Sequence, residues 1–399
     1  MGEDLIDDIM WLKELATSTE QLDDEIIVNN NSEIKLEVNY PYLIFSRNDL
    51  IRAMNLCSKI VQNKSDMYIY NSLSFVVGEG NSLNLYATNE LSHFKMTIEL
   101  IGDTKEFINS DFCISLNILQ KLVKLMGNKV LIYLKDNKYY IRLLNGDLLI
   151  DARPVDIKIV KFPGEEQGKL ADINISNIGS IVNAMLPLLQ TEIRSDAKKI
   201  LFTGEKAYFK SSFYYIEANI TSPSISLSYR DPVFINKLYK YYKDTQISLF
   251  RVSSTVPRLL IKLNNIYYQF LNPVNSESNL MTQQMEGLIK DTESLVEFNN
   301  FNRIVNLATT LPDSTGNIEL KYNGDKLEVV LTSSKGTSNF TFDIDKQTTL
   351  YRKSVLIRAE LLRKLLASFT GADKIGIALT DLSINIEYKN IKAVMMHNI

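Results

Sequence analysis

The feature that most constrains this chain is an order of elements that returns six times. A segment with apolar residues at helical spacing is followed each time by short apolar or aromatic runs broken at turn residues. The second occurrence is the clearest. In SLNILQKLVKLMGNK (115–129) the apolar residues at 116, 119, 122, 123 and 126 fall on one helical face. LIYLKDNKYYIRLLNGDLLIDA (131–152) follows, with its runs split by Asp136-Asn137 and Asn145-Gly146. Asn-Gly is the stronger hairpin signal, because both central residues of a type I′ turn need φ > 0. The segment reads as a basic helix and then a three-strand meander.

The other five units begin at SRNDLIRAMNLCSKIVQNK (46–64), ISNIGSIVNAMLPLLQTEIR (175–194), YRDPVFINKLYKYYKDT (229–245), EFNNFNRIVNLATTLPD (297–313) and LIRAELLRKLLASFTGADK (356–374). Gly78–Ser82 and Asn323-Gly324 read as turns within their meanders. The units start about 60 to 70 residues apart and group in pairs, a domain-level period of about 120 to 130. FPGEEQGKLAD (162–172) and the polar stretch 272–294 read as joints between pairs.

Charge follows the same pattern. The six helical windows (49–64, 116–129, 178–199, 233–243, 298–311 and 357–365) hold 16 Lys and Arg against 4 Asp and Glu. They carry +12 in a chain of net charge −3, which leaves −15 elsewhere. Glu is as good a helix former as Lys, so helix propensity alone does not explain its scarcity here. Helices sharing one face would make that face attractive to phosphates.

Other classes are disfavoured. No apolar run reaches the ~20 residues of a membrane span. The acidic start MGEDLIDDIM argues against a secretory signal. Only Cys57 and Cys113 are present, which suits a reducing, cytoplasmic setting. Two histidines make a His-rich metal site improbable, and no cofactor is implied. Phosphate-loop, nucleophile-elbow and H-E-x-x-H patterns are missing. GEGNS (78–82) lacks a third glycine and reads as a turn, and Asp151 with Arg153 reads as an exposed strand-end pair. An enzyme is not expected.

The pattern resembles the bacterial-type sliding clamp, the β subunit of the replicative DNA polymerase. SLNLYATNELSHFKMTIEL (82–100), the run 115–163 ending in Phe-Pro, and the C-terminal KAVMMHNI carry the likeness, which covers about residues 40–399. It implies an α+β DNA-clamp fold, with three similar domains (41–165, 170–275 and 290–399) of two β-α-β-β-β halves each. Residues 1–40 form an N-terminal extension. Two copies close head to tail into a homodimer ring around double-stranded DNA, held without sequence preference. The ring tethers the replicative polymerase and is placed by a clamp loader.

Residues follow by position. On the helices, Arg52, Lys59, Lys121 and Lys124 are expected to meet DNA, as are Arg194, Lys198, Lys237 and Lys240. Arg303, Arg358, Arg363 and Lys364 complete the set. Leu201, Ile216, Pro273, Val394 and Met395 fall where the family builds a pocket for partner peptides. Met suits a pocket that accepts several peptides. The family's Thr-Asp-x-His-Arg-Leu segment is replaced here by SSFYYI (211–216), so the polar part of that pocket differs. Leu148 and Ile150 fall on the ring-interface strand, with Leu307 and Leu311 on the opposing helix.

DLIDDIMWLKELA (4–16) has no clamp counterpart. Its apolar residues are read on one face and its acids on the other, as in an amphipathic helix, and Trp11 is the only tryptophan of the chain. It fits either docking on the chain's own surface or recruiting a partner. An alternative use of the fold is a viral or phage interaction module in transcription or assembly. Abundant Asn, Ile, Lys and Tyr fits an AT-rich source, phage or bacterial.

Overall fold

The computed structural model describes residues 40–61, 66–102, 111–192, 198–228, 230–272, 286–290, 292, 294–310, 314–323, 325–344 and 354–396. Residues 4–16, Arg194, Pro273, Leu311 and Gly324 therefore lie outside the described residues.

Six β-α-β-β-β units follow one another. The first is β1 (Tyr42–Ser46), α1 (Arg47–Cys57), β2 (Ser72–Val77), β3 (Ser82–Thr88) and β4 (His93–Glu99). The second is β5 (Phe112–Ser115), α2 (Leu116–Leu122), β6 (Lys129–Lys135), β7 (Lys138–Leu143) and β8 (Gly146–Ile150). A short β9 (Ala152–Pro154) and one helical turn, Ile157–Val160, come next. The third is β10 (Glu165–Asn174), α3 (Ile175–Thr191), β11 (Lys199–Phe202), β12 (Lys206–Lys210) and β13 (Tyr214–Asn219). The fourth is β14 (Ile225–Ser228), α4 (Arg230–Tyr241), β15 (Gln246–Ser253), β16 (Arg258–Leu263) and β17 (Ile266–Leu271). The fifth is β18 (Ser294–Glu297), α5 (Phe298–Thr310), β19 (Ser314–Asn323), β20 (Lys326–Ser333) and β21 (Gly336–Asp343). The sixth is β22 (Ser354–Arg358), α6 (Ala359–Leu366), β23 (Lys374–Leu379), β24 (Ser383–Tyr388) and β25 (Ile391–Met396).

The first strand of each unit runs straight into its helix. Ser46 and Asn174 cap α1 and α3, accepting from the N–H of Asp49 and Ser176 at 3.4 and 2.8 Å. Such caps satisfy donors that a helix start leaves open. The helix carries the chain across, so the first strand completes the neighbouring unit's sheet. β1 pairs with β6 and β5 with β2. β14 pairs with β11, β18 with β23 and β22 with β19.

Two compact units divide the chain. One runs up to Glu165 and includes Leu260–Phe270; the other holds Glu166–Leu259 and Leu271–Ile399. In the first, Leu73, Phe75, Leu83, Leu85, Phe94 and Met96 alternate along β2 to β4 and bury one sheet face. In the second, two four-stranded halves join at β13 and β25 into one sheet, ordered β14-β11-β12-β13-β25-β24-β23-β18. α3 buries Ile178, Ile181, Val182, Met185, Leu188 and Leu189, and Gly179 lets α4 approach closely.

Two expectations are corrected. The division between the two compact units does fall within 162–172, but the stretch is not a loose linker, because β10 covers most of it. Its polar side chains point to solvent while Lys169 pairs with Asp172 at 2.6 Å and Ser248 Oγ donates to Asp172 at 2.6 Å. Composition reported the exposed side chains, not the paired backbone. The type I′ turn is at Asp136-Asn137, where both φ are positive (50° and 58°). Leu143 pairs with Gly146, so the second loop is Leu144-Asn145, and Gly146 already belongs to β8.

Candidate nucleic-acid and partner surfaces

The basic side chains lie within the helices or in the residues flanking them. On α1, Arg52 is half-buried and pairs with Asp49 at 3.8 Å, and exposed Lys59 follows the helix. Arg47 is structural: its Nε donates to the Val123 carbonyl at 2.8 Å and ties α1 to the end of α2. Lys121 ends α2 and Lys124 lies in the helical turn after it, both exposed. On α4, Lys240 is exposed and Lys237 half-buried. Arg303 is the basic residue of α5 and is exposed.

At α6, Arg358 and Arg363 are exposed. Lys364 instead bonds Glu360 at 2.7 Å, one turn away. That bond holds the Glu360 carboxyl below the usual carboxylate range. Lys364 therefore presents a paired charge.

α3 departs from expectation. It ends at Thr191 and contains no Lys or Arg. Lys198 lies after the helix, half-buried, just before β11. The window 178–199 mixed helix with connection.

The peptide-pocket candidates divide between two faces. Directly opposed residues on antiparallel strands point the same way. Tyr214 faces Met395, Tyr215 faces Val394 and Ile216 faces Ala393. Ile216 and Met395 thus lie with Tyr214 on the helix side, where the Tyr214 hydroxyl donates to the Leu361 carbonyl at 3.1 Å. Val394 lies on the other side with Tyr215. Leu201 pairs with Tyr208, whose ring stacks on Tyr215 at 6.0 Å, so Leu201 is on that second face too. Ala393, not Val394, accompanies Ile216. Ile216, Val394 and Met395 are each 0% exposed, so they support the seam and do not open onto solvent.

The replaced segment SSFYYI makes the seam. Ser211 Oγ accepts from the N–H of Phe213 and Tyr214, at 3.3 and 3.1 Å. The turn presents Phe213 at 48% exposure, and the Phe213 carbonyl accepts from the Met396 N–H at 3.0 Å. Phe213 was not singled out from the sequence, although an aromatic residue just after two serines was its signal. On the opposite face the Tyr215 hydroxyl lies 3.0 Å from Glu217 and 3.0 Å from Glu286, and Lys206 reaches Glu217 at 3.1 Å. Burial, then the two carboxylates, push the Tyr215 hydroxyl far above its ordinary value.

Among the described residues each sheet has two end strands, and two of these ends matter for assembly. β8 ends the sheet β1-β6-β7-β8, and β21 ends β21-β20-β19-β22. On β8, Leu148 is half-buried and Ile150 buried, while Leu149 between them is 45% exposed. Leu307 on α5 is 37% exposed. Phe340 and Phe342 on β21 are half-buried.

Among the described residues no His, Cys, Asp and Glu group suited to a metal ion is present. No helix among them is long and apolar enough to cross a membrane. Asp151 and Arg153 form an exposed pair at 3.3 Å, as the sequence suggested.

The class defined by six such units, with each first strand exchanged between halves, is the DNA-clamp fold. No family model matches the sequence, and no curated protein does. Solved structures do match, and they are bacterial DNA polymerase III β subunits. The DnaN sliding clamp from Bartonella birtlesii, bound to griselimycin, superposes with TM-score 0.74 at 12% identity, over 90% of this chain and 100% of its own. The β subunit from Thermotoga maritima gives 0.71 at 13%, over 90% and 99%. The Helicobacter pylori β clamp, bound to a DNA ligase peptide, gives 0.70 at 14%, over 90% and 100%. The chain has the sliding-clamp fold.

Proposed function

We propose that this chain is a DNA polymerase processivity factor that encircles duplex DNA as a ring of two copies. The observation that carries this reading is the exposed basic residues on or directly after five of six helices, in a fold whose solved examples are sliding clamps. Lys59, Lys121, Lys124, Lys240, Arg303, Arg358 and Arg363 are spread over separate helices rather than gathered in one pocket. Such charges hold phosphates without reading bases, often through water, and so permit sliding.

The proposed domains are 41–165, 170–275 and 290–399. Pairing of β8 from one copy with β21 of the other would leave neither edge open. Leu148, Leu149 and Leu307 would then be covered, with Ile150 packed behind them. Partners would be the replicative polymerase and its clamp loader. Their apolar peptides would dock near Phe213, above the seam of Ile216 and Met395. The protein acts as a tether and not as an enzyme, in the cytoplasm of a bacterium or an infected host.

Negative-stain electron microscopy at two protein concentrations tests the ring. Particles with a hole of at least about 20 Å plus a water layer are expected. Compact particles without a hole at both concentrations would contradict it.

A further inference from the structure

A second basic site lies in the first compact unit, away from the helix lysines. Tyr86 on β3 stands opposite Lys95 on β4, and Lys95 stands opposite Tyr267 on β17. Directly opposed residues share a face. Leu85, Phe94 and Met96 alternate with them and are buried on the other face. The Lys95 ammonium lies 5.8 Å from the Tyr86 ring centroid and 5.4 Å from that of Tyr267. The Lys262 ammonium, from β16, lies 5.7 Å from the Tyr267 centroid. Cations and rings therefore alternate across four neighbouring strands.

The segment after β9 brings another lysine to this face. The turn Ile157–Val160 packs on it: Val160 joins Val76 and Tyr86 in one apolar cluster, with Ile157 against them. Lys161 follows at once, exposed, its N–H donating to the Ile157 carbonyl at 3.0 Å. Past it, the Phe162 ring meets His93 edge to face at 6.1 Å, and Gln269 Nε2 donates to the Pro163 carbonyl at 3.0 Å. Lys161 is thus anchored on both sides. Burial, and then the charge of Lys161, pull the Lys95 ammonium below its ordinary value. Among the described residues neither Lys95 nor Lys161 has an ion pair. Asp111, whose charge does reach Lys161, is half-buried and accepts from the Val77 N–H. Two cations held in reach of each other repel. The packing of Val160, Phe162 and Pro163 imposes that cost, and a bound dianion would relieve it.

We propose that Lys95 and Lys161, with Lys262 beside them, bind a terminal phosphate group on this sheet face. A terminal phosphate carries nearly two charges at neutral pH and three acceptor oxygens. It matches a pair of ammoniums better than a single carboxylate does. The tyrosine rings hold the lysine stems and favour the charged heads. Free phosphate, a nucleotide and a 5′-phosphorylated strand end share this chemistry. The site does not depend on whether the helices meet DNA.

Competitive labelling tests it on the full-length chain. Limiting acetic anhydride is added at low salt, and each lysine is read by peptide mass spectrometry. The probes are inorganic phosphate, thymidine 5′-monophosphate, a short oligothymidylate with or without a 5′-phosphate, and oligoglutamate. A bound phosphate is expected to slow acetylation of Lys95 and Lys161 together by about tenfold, the worth of one charge-assisted hydrogen bond. Lys335 and Lys374, in the second unit, should keep their rates. Lys95→Met keeps an apolar stem between the rings and should weaken phosphate binding about tenfold, leaving Lys161 unprotected. Should that variant fail to fold, protection in the unaltered chain decides the matter. Protection by inorganic phosphate or the monophosphate supports a small-molecule source. Protection by the oligonucleotide only when it is 5′-phosphorylated supports a strand end. Equal protection with and without the 5′-phosphate would overturn the terminal-phosphate assignment. Protection by oligoglutamate alone would mark an acidic-peptide surface and overturn it too, as would Lys95 unprotected by every probe or phosphate binding unchanged in Lys95→Met.

Discussion

Replacing Gly179 by Ala sets two effects against each other, and their sizes decide the sign. Gly179 faces Tyr239, where α3 meets α4. A Cβ built at 179 would lie 2.4 Å from Tyr239 Cβ, 2.5 Å from Cγ and 2.9 Å from Cδ2. The nearest of these atoms is fixed to the backbone, so rotating the ring cannot relieve the overlap. The helices would have to part by about an ångström to restore ordinary contact, and overpacking of this kind costs about 1–3 kcal/mol. Ala is the better helix former by about 1 kcal/mol. With three atoms in conflict the upper part of the steric range applies, for a net loss of about 2 kcal/mol. In a unit of this size each kcal/mol moves the midpoint by about 2–4 °C. Thermal unfolding followed by circular dichroism should therefore show Gly179→Ala melting about 4–8 °C earlier. Adding Tyr239→Ala leaves its Cβ in place and should not rescue the variant, whereas adding Tyr239→Gly should remove the penalty. A midpoint unchanged or raised by Gly179→Ala alone would refute the steric argument.

Other consequences are as direct. The double variant Lys121→Ala with Lys124→Ala should flatten the salt dependence of duplex binding by up to about two units of slope, since each phosphate contact contributes about 0.9; an unchanged slope would remove these residues from the interface. Leu148→Asp or Leu307→Asp should shift sedimentation from dimer to monomer, and an unaffected dimer would place the ring contact elsewhere. Burial pushes the Cys113 thiol up to about 11, and Cys57 is buried as well; neither should react with a disulfide reagent at pH 8 until the chain unfolds. Hydrogen bonds from Ser354 and Lys321 hold the Glu319 carboxyl below its ordinary value. A depressed folded-state value adds stability above the unfolded value, which is lost as pH falls through the folded one. Urea midpoints between pH 7 and pH 3 should therefore fall less steeply in Glu319→Gln.

Periodicity made all six helices and their meanders legible, because apolar spacing is a local property of the chain. What failed was set by pairing. By position Leu201 and Val394 fall at the pocket, yet the β11–β12–β13 register puts Leu201, and the β13–β25 register puts Val394, on the face away from Ile216 and Met395. In a strand a shift of one residue changes the face, and register depends on a partner some 180 residues away. The charge of the third window lay past Thr191, because Arg and Lys beyond a helix end look the same in sequence as those within it. Phe213 was overlooked because exposure at a turn depends on how Ser211 folds back.

Retention on DNA tests the central claim most directly. The protein, loaded onto nicked circular duplex with a cognate loader, would be separated from free protein by gel filtration at moderate salt, before and after linearisation of the circle. Topological attachment predicts that the protein stays with the circle and is lost once an end is cut. Equal retention on both forms would mean that the basic helices grip DNA from outside, and equal loss from both would mean that the fold does not encircle DNA at all.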